Sequence, residues 1–187
     1  MEIEFILNQI NTLPAISLEK LTRKLSKVNL RKGTLLFNAG KIESHIYFIE
    51  KGIARAFCYS AQSEVTFWFG KEGDVVLSYN SYIHNKPGYE SIELLEDSSV
   101  YQLKMTDLQT LFNEDLFIAN WGRKLAEFEL VKTEERLISR QFKTAAERYK
   151  ELIEQCPELI QRVQLGYIAS YLGVTQVTLS RIRAELK

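Results

Sequence analysis

Residues 165–184 read LGYIASYLGVTQVTLSRIRA, and their spacing decides how the C-terminal end must fold. Two helices that cross at a tight turn need a small residue at the crossing, and Ala169 stands there. The turn needs a residue that tolerates positive φ, which Gly173 supplies without steric cost. Ile168, Leu172, Val174, Leu179 and Ile182 recur at the intervals that fill the wedge between two such helices. Thr175 follows the turn and can cap the second helix through its hydroxyl. With Leu179, Ile182 and Leu186 inward, Val177, Ser180, Arg181 and Ala184 face outward. Small residues let a helix enter the major groove, and an arginine one turn in can reach guanine O6 and N7. An αα-hairpin that only packs has no use for such a face.

Working back from this segment, Thr144–Gln155 is expected as a helix with Ala145, Tyr149, Leu152 and Ile153 inward, ended before Pro157. Phe142, Lys143 and Thr144 form the expected hinge. From Glu114 to about Gln141 the period is helical, with Asn113 as its cap. Phe117, Trp121, Leu125, Phe128, Val131 and Ile138 recur every three or four positions, interrupted by Lys124 and Glu135. At about seven turns this helix is longer than a small barrel can cover. The stripe is therefore expected to serve both the β region and a second subunit. Thr106 is the expected cap of a short helix through Phe112.

Between Val28 and Leu103 the texture is that of short strands: Thr34–Phe37, Ile46–Ile49, Ile53–Tyr59, Glu64–Phe69, Ser91–Leu95 and Val100–Leu103. Turn residues separate them, which indicates a sandwich or barrel. Ahead of them Ser17 is expected to cap a helix over Leu18–Lys27.

Composition excludes several classes. With 45% hydrophobic and 26% charged residues in 187, the chain is expected to be an ordered globular protein. Its start, MEIEFILNQI, lacks the basic cluster of a secretory signal, and no apolar run approaches the ~20 residues of a membrane span. A cytoplasmic protein without a membrane partner is expected. Cys58 and Cys156 are far apart, and His45 and His84 are the only histidines, too few for a zinc, iron–sulfur or cupin-type site. No phosphate loop, nucleophile elbow or HExxH is present, so no metal, cofactor or catalytic residue is expected. The net charge is zero but uneven. Arg162, Arg181, Arg183 and Lys187 against Glu185 make 160–187 basic, at +3; Asp74, Glu90, Glu93, Glu96 and Asp97 against Lys86 make 73–97 acidic, at −4. Such a gradient suggests different partners for the two segments.

The order of FGKEGDVV (69–76), ESIELLEDS (90–98), the long helix and QRVQLGYIASYLGV (161–174) resembles the Crp/Fnr family of regulators over nearly the whole chain. The resemblance implies an α+β chain divided into three parts. A cyclic-nucleotide-binding-like β-roll or jelly roll with flanking helices would span 1–112, a dimerisation helix 113–141, and a helix-turn-helix domain 142–187. It further implies a homodimer on a pseudo-palindromic site in double-stranded DNA, RNA polymerase as a partner, and a small effector of unknown identity.

Two departures limit what carries over. Where cyclic-nucleotide-binding members of the family carry Gly-Glu and Arg-Ser or Arg-Thr, this chain has Gly73-Asp74 and Gly-Tyr-Glu-Ser over Gly88–Ser91, and no arginine lies between Arg55 and Arg123. A buried phosphate needs fixed cationic or N–H donors, and Glu90 would repel it. Lys86 offers a mobile point charge only. Cyclic AMP is therefore not the expected effector; an effector pocket would comprise Gly73, Asp74, Lys86, Tyr89, Glu90 and Ser91, or the roll is scaffold. Tyr79, Tyr82 and Tyr89 either pack the roll or stack on a planar effector. On the DNA side Gln176 and Val177 replace the family's usual charged pair, with Gln suited to adenine and Val to a thymine methyl. The expected DNA contacts are Thr175, Gln176, Val177, Thr178, Ser180, Arg181, Arg183 and Lys187. The competing expectation is an effector sensor or protein-interaction module with a vestigial helix-turn-helix.

Overall fold

Strand alternation organises the N-terminal part of the computed structural model, which describes residues 2–60 and 63–185. After helices α1 (Ile3–Ile10) and α2 (Ala15–Thr22) come strands β1 (Ser26–Leu30), β2 (Leu35–Phe37), β3 (His45–Lys51), β4 (Ala54–Tyr59), β5 (Glu64–Gly70) and β6 (Val75–Val76). Helix α3 (Tyr79–His84) precedes β7 (Ser91–Leu94) and β8 (Ser98–Lys104). The strands form two four-stranded sheets, β1-β8-β3-β6 and β2-β7-β4-β5, paired antiparallel throughout. Ala54, Ala56, Ile92 and Leu94 of the second sheet meet Ile49, Val76 and Val100 between the layers. Ile46, Phe48 and Leu103 point the other way, under the flanking helices. The fold is α+β, as expected.

The remaining helices are α4 (Met105–Glu114), α5 (Leu116–Phe142), α6 (Ala145–Gln155), α7 (Pro157–Arg162), α8 (Leu165–Leu172) and α9 (Gln176–Glu185). Helix α5 has 27 residues, about 40 Å at 1.5 Å per residue. Its stripe divides. Ile118, Trp121 and Leu125 are buried on the roll, whereas Phe117, Phe128, Val131 and Ile138 are exposed, as are Leu130, Leu137 and Phe142. At 100° per residue the exposed set Phe117, Phe128, Val131, Ile138 and Phe142 lies on one continuous strip beside the buried one. Gly122 has its reason in packing: the Phe112 ring occupies the place a Cβ would take.

Three expected caps are corrected. Ser17 lies inside α2, buried, and its hydroxyl donates to both Asp115 oxygens at 3.0 and 3.1 Å. That helix stops at Thr22, so residues 26–27 join a strand. Asp115, not Asn113, caps α5, accepting from the amides of Phe117 at 3.0 Å and Ile118 at 3.3 Å. Its charge complements the helix N-terminus, and Lys20 pairs with it at 3.0 Å. Thr106 is inside α4, whose start is fixed by the Met105 amide donating to Ser44 O at 2.9 Å. Sequence reading also left out α1, β1, β6, α3 and α7, each short or weakly patterned.

Trp121 is the centre of the helical layer, fully buried, 6.2 Å from the Phe48 ring, with its indole N–H donating to Leu7 O at 2.8 Å. Replacing it leaves a large cavity and removes one of the two donors to the Leu7 carbonyl. Trp121→Ala is expected to destabilise the fold by about 3–5 kcal/mol, measured by urea unfolding; a loss below ~1 kcal/mol would contradict this placement.

Candidate nucleic-acid interface

Helix α8 ends because Gly173 takes φ 71°, a left-handed conformation that glycine adopts freely. The Gly173 amide then donates to Ser170 O and the Val174 amide to Ala169 O, both at 3.0 Å, the pair of reversed bonds that closes a helix C-terminus. Arg148 of α6 donates to Leu172 O at 2.8 Å, satisfying another end carbonyl. Thr175 caps α9, its hydroxyl accepting from the Thr178 amide at 3.1 Å. Ile168, Ala169, Leu172, Leu179 and Ile182 are buried together with Tyr149 and Leu152 of α6. The expected wedge is thus formed, and Thr144 with Glu147 makes a reciprocal cap at the start of α6.

The outward face of α9 matches the sequence reading. Thr175, Gln176, Val177, Thr178, Ser180 and Arg181 are exposed; Arg183 is partly covered. Among the described residues no ion pair engages Arg181 or Arg183. Leu186 and Lys187 lie outside the described residues.

Sequence reasoning missed how α6–α9 are attached to the roll. Ser170 of α8 sits on edge strand β5, accepting from the Thr66 amide at 2.9 Å and donating to Glu64 O at 3.2 Å. It supplies partners that an edge strand otherwise leaves to solvent. Tyr171 packs on Phe69 at 5.3 Å between ring centroids. Arg55, 2% exposed, has Glu64 at 2.7 Å and the Phe57 and Tyr167 rings at 4.1 and 3.8 Å. Its Nε is 2.7 Å from Glu93 as an ion pair, with the N–H not aimed at that oxygen. Arg162 of α7 reaches two loops of the roll. It donates to Glu72 at 2.7 and 3.1 Å and to Glu96 at 3.2 Å, with a second contact to Glu96. Lys71 pairs with Glu158 beside it. An arginine at the centre of a strand otherwise lined by Ala and Phe was the available signal.

These contacts correct the charge reading. Arg162, counted in the basic tail, is spent on Glu72 and Glu96. Of the acidic segment, Glu93 faces Arg55, Glu96 faces Arg162, and Asp97 accepts from the Lys32 amide at 2.8 Å. The gradient is thus partly neutralised inside the molecule, by Arg162, Arg55 and Lys132, while Arg181 and Arg183 stay outside any ion pair among the described residues.

The expected effector residues do not form one cluster. Gly73 makes the turn into β6, and Asp74 accepts from the Lys71 amide at 2.9 Å and lies 3.4 Å from Lys132 of α5. Lys86 and Tyr89 are exposed, Tyr89 beside Phe67 at 6.4 Å. Glu90 is buried, with one oxygen unpartnered, and so is Ser78 Oγ. A Cβ at Gly88 would come 2.8 Å from Ser78 Oγ and 3.0 Å from Glu90 Oε1. Ser91 Oγ accepts from the Ala39 amide at 3.1 Å. The buried end of this segment therefore places a carboxylate beside serine hydroxyls, with no cation paired to it among the described residues, a poor setting for a phosphate. Among the described residues no group of His, Cys, Asp or Glu is placed to hold a metal ion, and no helix is long and apolar enough to cross a membrane.

Comparisons agree with this geometry. Residues 27–115 match the family model of the cyclic nucleotide-binding domain. No curated protein sequence matches the chain. FixK2 from Bradyrhizobium japonicum is similar in structure with a TM-score of 0.72 at 21% identity, over 87% of this chain and 84% of that one. A Crp/Fnr-family regulator from Eubacterium rectale gives a TM-score of 0.76 at 15% identity, over 97% and 87%. The c-di-GMP-responsive regulator CLP from Xanthomonas campestris gives 0.68 at 16%, over 92% and 91%. The chain has the Crp/Fnr-type fold, a cyclic-nucleotide-binding-like roll followed by a multi-helix C-terminal region.

The attachment should respond to acid. Burial works to raise the Glu72 carboxyl, but hydrogen bonds from Arg162 and from the Gly52 and Glu72 amides, with the guanidinium charge, hold it down to about 2 from an ordinary 4.5. A depressed carboxylate stabilises the fold above its unfolded value, and that contribution is lost as pH falls toward the folded value. The stability margin of the parent over Glu72→Gln should be constant above about pH 4.5 and shrink from there toward 2. Thermal melts of both across pH 7 to 2.5 check this; a margin independent of pH would refute the pairing.

Proposed function

We propose that the protein is a homodimeric, sequence-specific DNA-binding transcriptional regulator of the Crp/Fnr family, acting in the cytoplasm without catalysis of its own. The observation that carries this reading is α9. It is capped and wedged against α8 as a helix-turn-helix requires, while Gln176, Val177, Ser180 and the unpaired Arg181 stand exposed. In this reading 1–112 is the sensor roll, 113–141 the dimerisation helix and 142–187 the DNA-binding part. The exposed strip of α5, Phe128 to Phe142, supports a symmetric coiled-coil-like contact, because a self-complementary apolar stripe is what a two-fold dimer buries. RNA polymerase is the partner such a regulator would address.

Cyclic AMP does not fit the roll. A cyclic phosphate beside buried Glu90 would lose hydration and meet like charge, with no arginine to offset either. A neutral or cationic effector suits the Gly88–Ser91 end better. No melting-temperature shift is expected with cyclic AMP or cyclic GMP at roughly 1 mM, a concentration that detects even weak binding. A clear upshift abolished by changing Asp74 would reverse this assignment.

Selection of random DNA by the purified protein tests the whole reading, since it returns affinity, consensus and half-site spacing together. Arg181→Ala is expected to cost about 1–3 kcal/mol and relax preference at one base pair per half-site. Arg183→Ala should weaken all sequences alike and flatten the salt dependence. Phe128→Lys should give monomers in sedimentation that bind DNA weakly. Absence of any sequence preference in the parent protein would leave the module without a reading helix and sink the proposal.

A further inference from the structure

Helix α5 leads into α6 through two residues, Lys143 (φ −103°, ψ 144°) and the cap Thr144 (φ −66°, ψ 162°), both extended. Ser139 and Lys143 bond Glu151 across this short joint and tether α6 there, so the orientation of the later helices depends on contacts further along. Away from the joint the helices are held to the roll by the packing of Tyr167 on Arg55 and Tyr171 on Phe69, by the Lys71–Glu158 pair, and by two sets of hydrogen bonds. Arg162 grips the β5–β6 and β7–β8 loops through Glu72 and Glu96. Ser170 is bonded in both directions to the backbone of β5. Neither contact hides the reading face, because Gln176 to Thr178, Ser180 and Arg181 remain exposed while both are made. Their effect is placement: they set where α9 stands relative to α5, and hence to the two-fold axis that α5 would define.

We propose that Arg162 and Ser170 are positioning residues that fix the half-site spacing the protein accepts. This rests on the DNA-binding reading above. Adding one base pair between half-sites displaces the second by about 3.4 Å and rotates it by roughly a tenth of a turn. A helix held rigidly to its roll cannot follow both changes; one that has lost these hydrogen-bonded clamps and keeps only the joint and the remaining packing follows them more readily. Spacing selectivity is then a property of contacts that never touch DNA.

The experiment compares full-length parent, Arg162→Gln, Ser170→Ala and the milder Glu96→Gln on palindromes whose spacer is changed by one or two base pairs. The parent should prefer one spacing by at least about tenfold, which is ~1.4 kcal/mol. In the variants this preference should fall to about threefold or less, with base preferences inside each half-site unchanged, a split that general destabilisation would not produce. A second readout needs no DNA. Hydrogen exchange of the β5 segment, residues 64–70, should quicken in Arg162→Gln and Ser170→Ala as the helices lift off the Thr66 amide. Variants that keep the parent's spacing profile overturn the proposal, as does a parent with sequence preference but no spacing preference. Should the parent bind no DNA, the DNA-binding reading and the spacing role fall together. Exchange of the β5 segment then still decides the attachment: unchanged protection would show that Arg162 and Ser170 do not hold it.

Discussion

A guanidinium with 2% exposure has lost nearly all its water, and the fold must replace it. Arg55 obtains that replacement from both sides of a boundary. Glu64 and Glu93 come from its own sheet, while the Tyr167 ring comes from α8. The outer face of the second sheet is therefore incomplete without the C-terminal helices. Without Tyr167 the cation would face solvent on one side and the carboxylates would be partly released. The rest of the contact follows from this commitment: Ser170 takes the edge of β5, Tyr171 takes Phe69, and Arg162 takes the two flanking loops.

The same face bears on how a chain of zero net charge would, on the proposed reading, still present a basic helix to DNA. Glu96 of the middle segment is held by Arg162, which a simple count would assign to nucleic acid, and Glu93 by Arg55. What remains unpaired on α9 is small in number, Arg181 and the partly covered Arg183, so affinity on the proposed reading depends on geometry and on two copies acting together. Long-range charge plays a lesser part.

Much of this was legible in the sequence because the signals were local. Gly173, Thr175 and the wedge from Ile168 to Ile182 specify a turn, a cap and a packing face within eighteen residues, and each is found in its expected role. Most of the roll's strands were visible as aromatic and β-branched runs between turns, although β1, β6 and the one-residue bulges in β3 and β5 were not. Caps were the least legible feature. Ser17, Thr106 and Asn113 are all suitable cap residues by type, and Asp115 prevails for a reason invisible to local reading: Ser17 and Lys20, some ninety-five residues or more away in sequence, converge on its carboxylate. The α5 stripe was legible as a stripe, but its division into buried and exposed strips depends on where the roll ends. For the candidate effector segment, residue types were informative and their grouping was not, since Asp74 turns toward Lys132 while Glu90 turns inward.

The hydrophobic core of the C-terminal helices does not belong to them alone. Ile53, fully buried, is one of its members, and Phe69 and Leu95 pack against it, all three contributed by the roll. A recognition unit cut out at Thr144 would carry an uncovered apolar socket, and one grafted onto another roll would need matching side chains at these three places. On the proposed reading, divergence of DNA specificity would be channelled by this shared core. The outward residues of α9 can change freely, one at a time, whereas exchange of the whole unit between lineages requires the receiving scaffold to have evolved the complementary socket first.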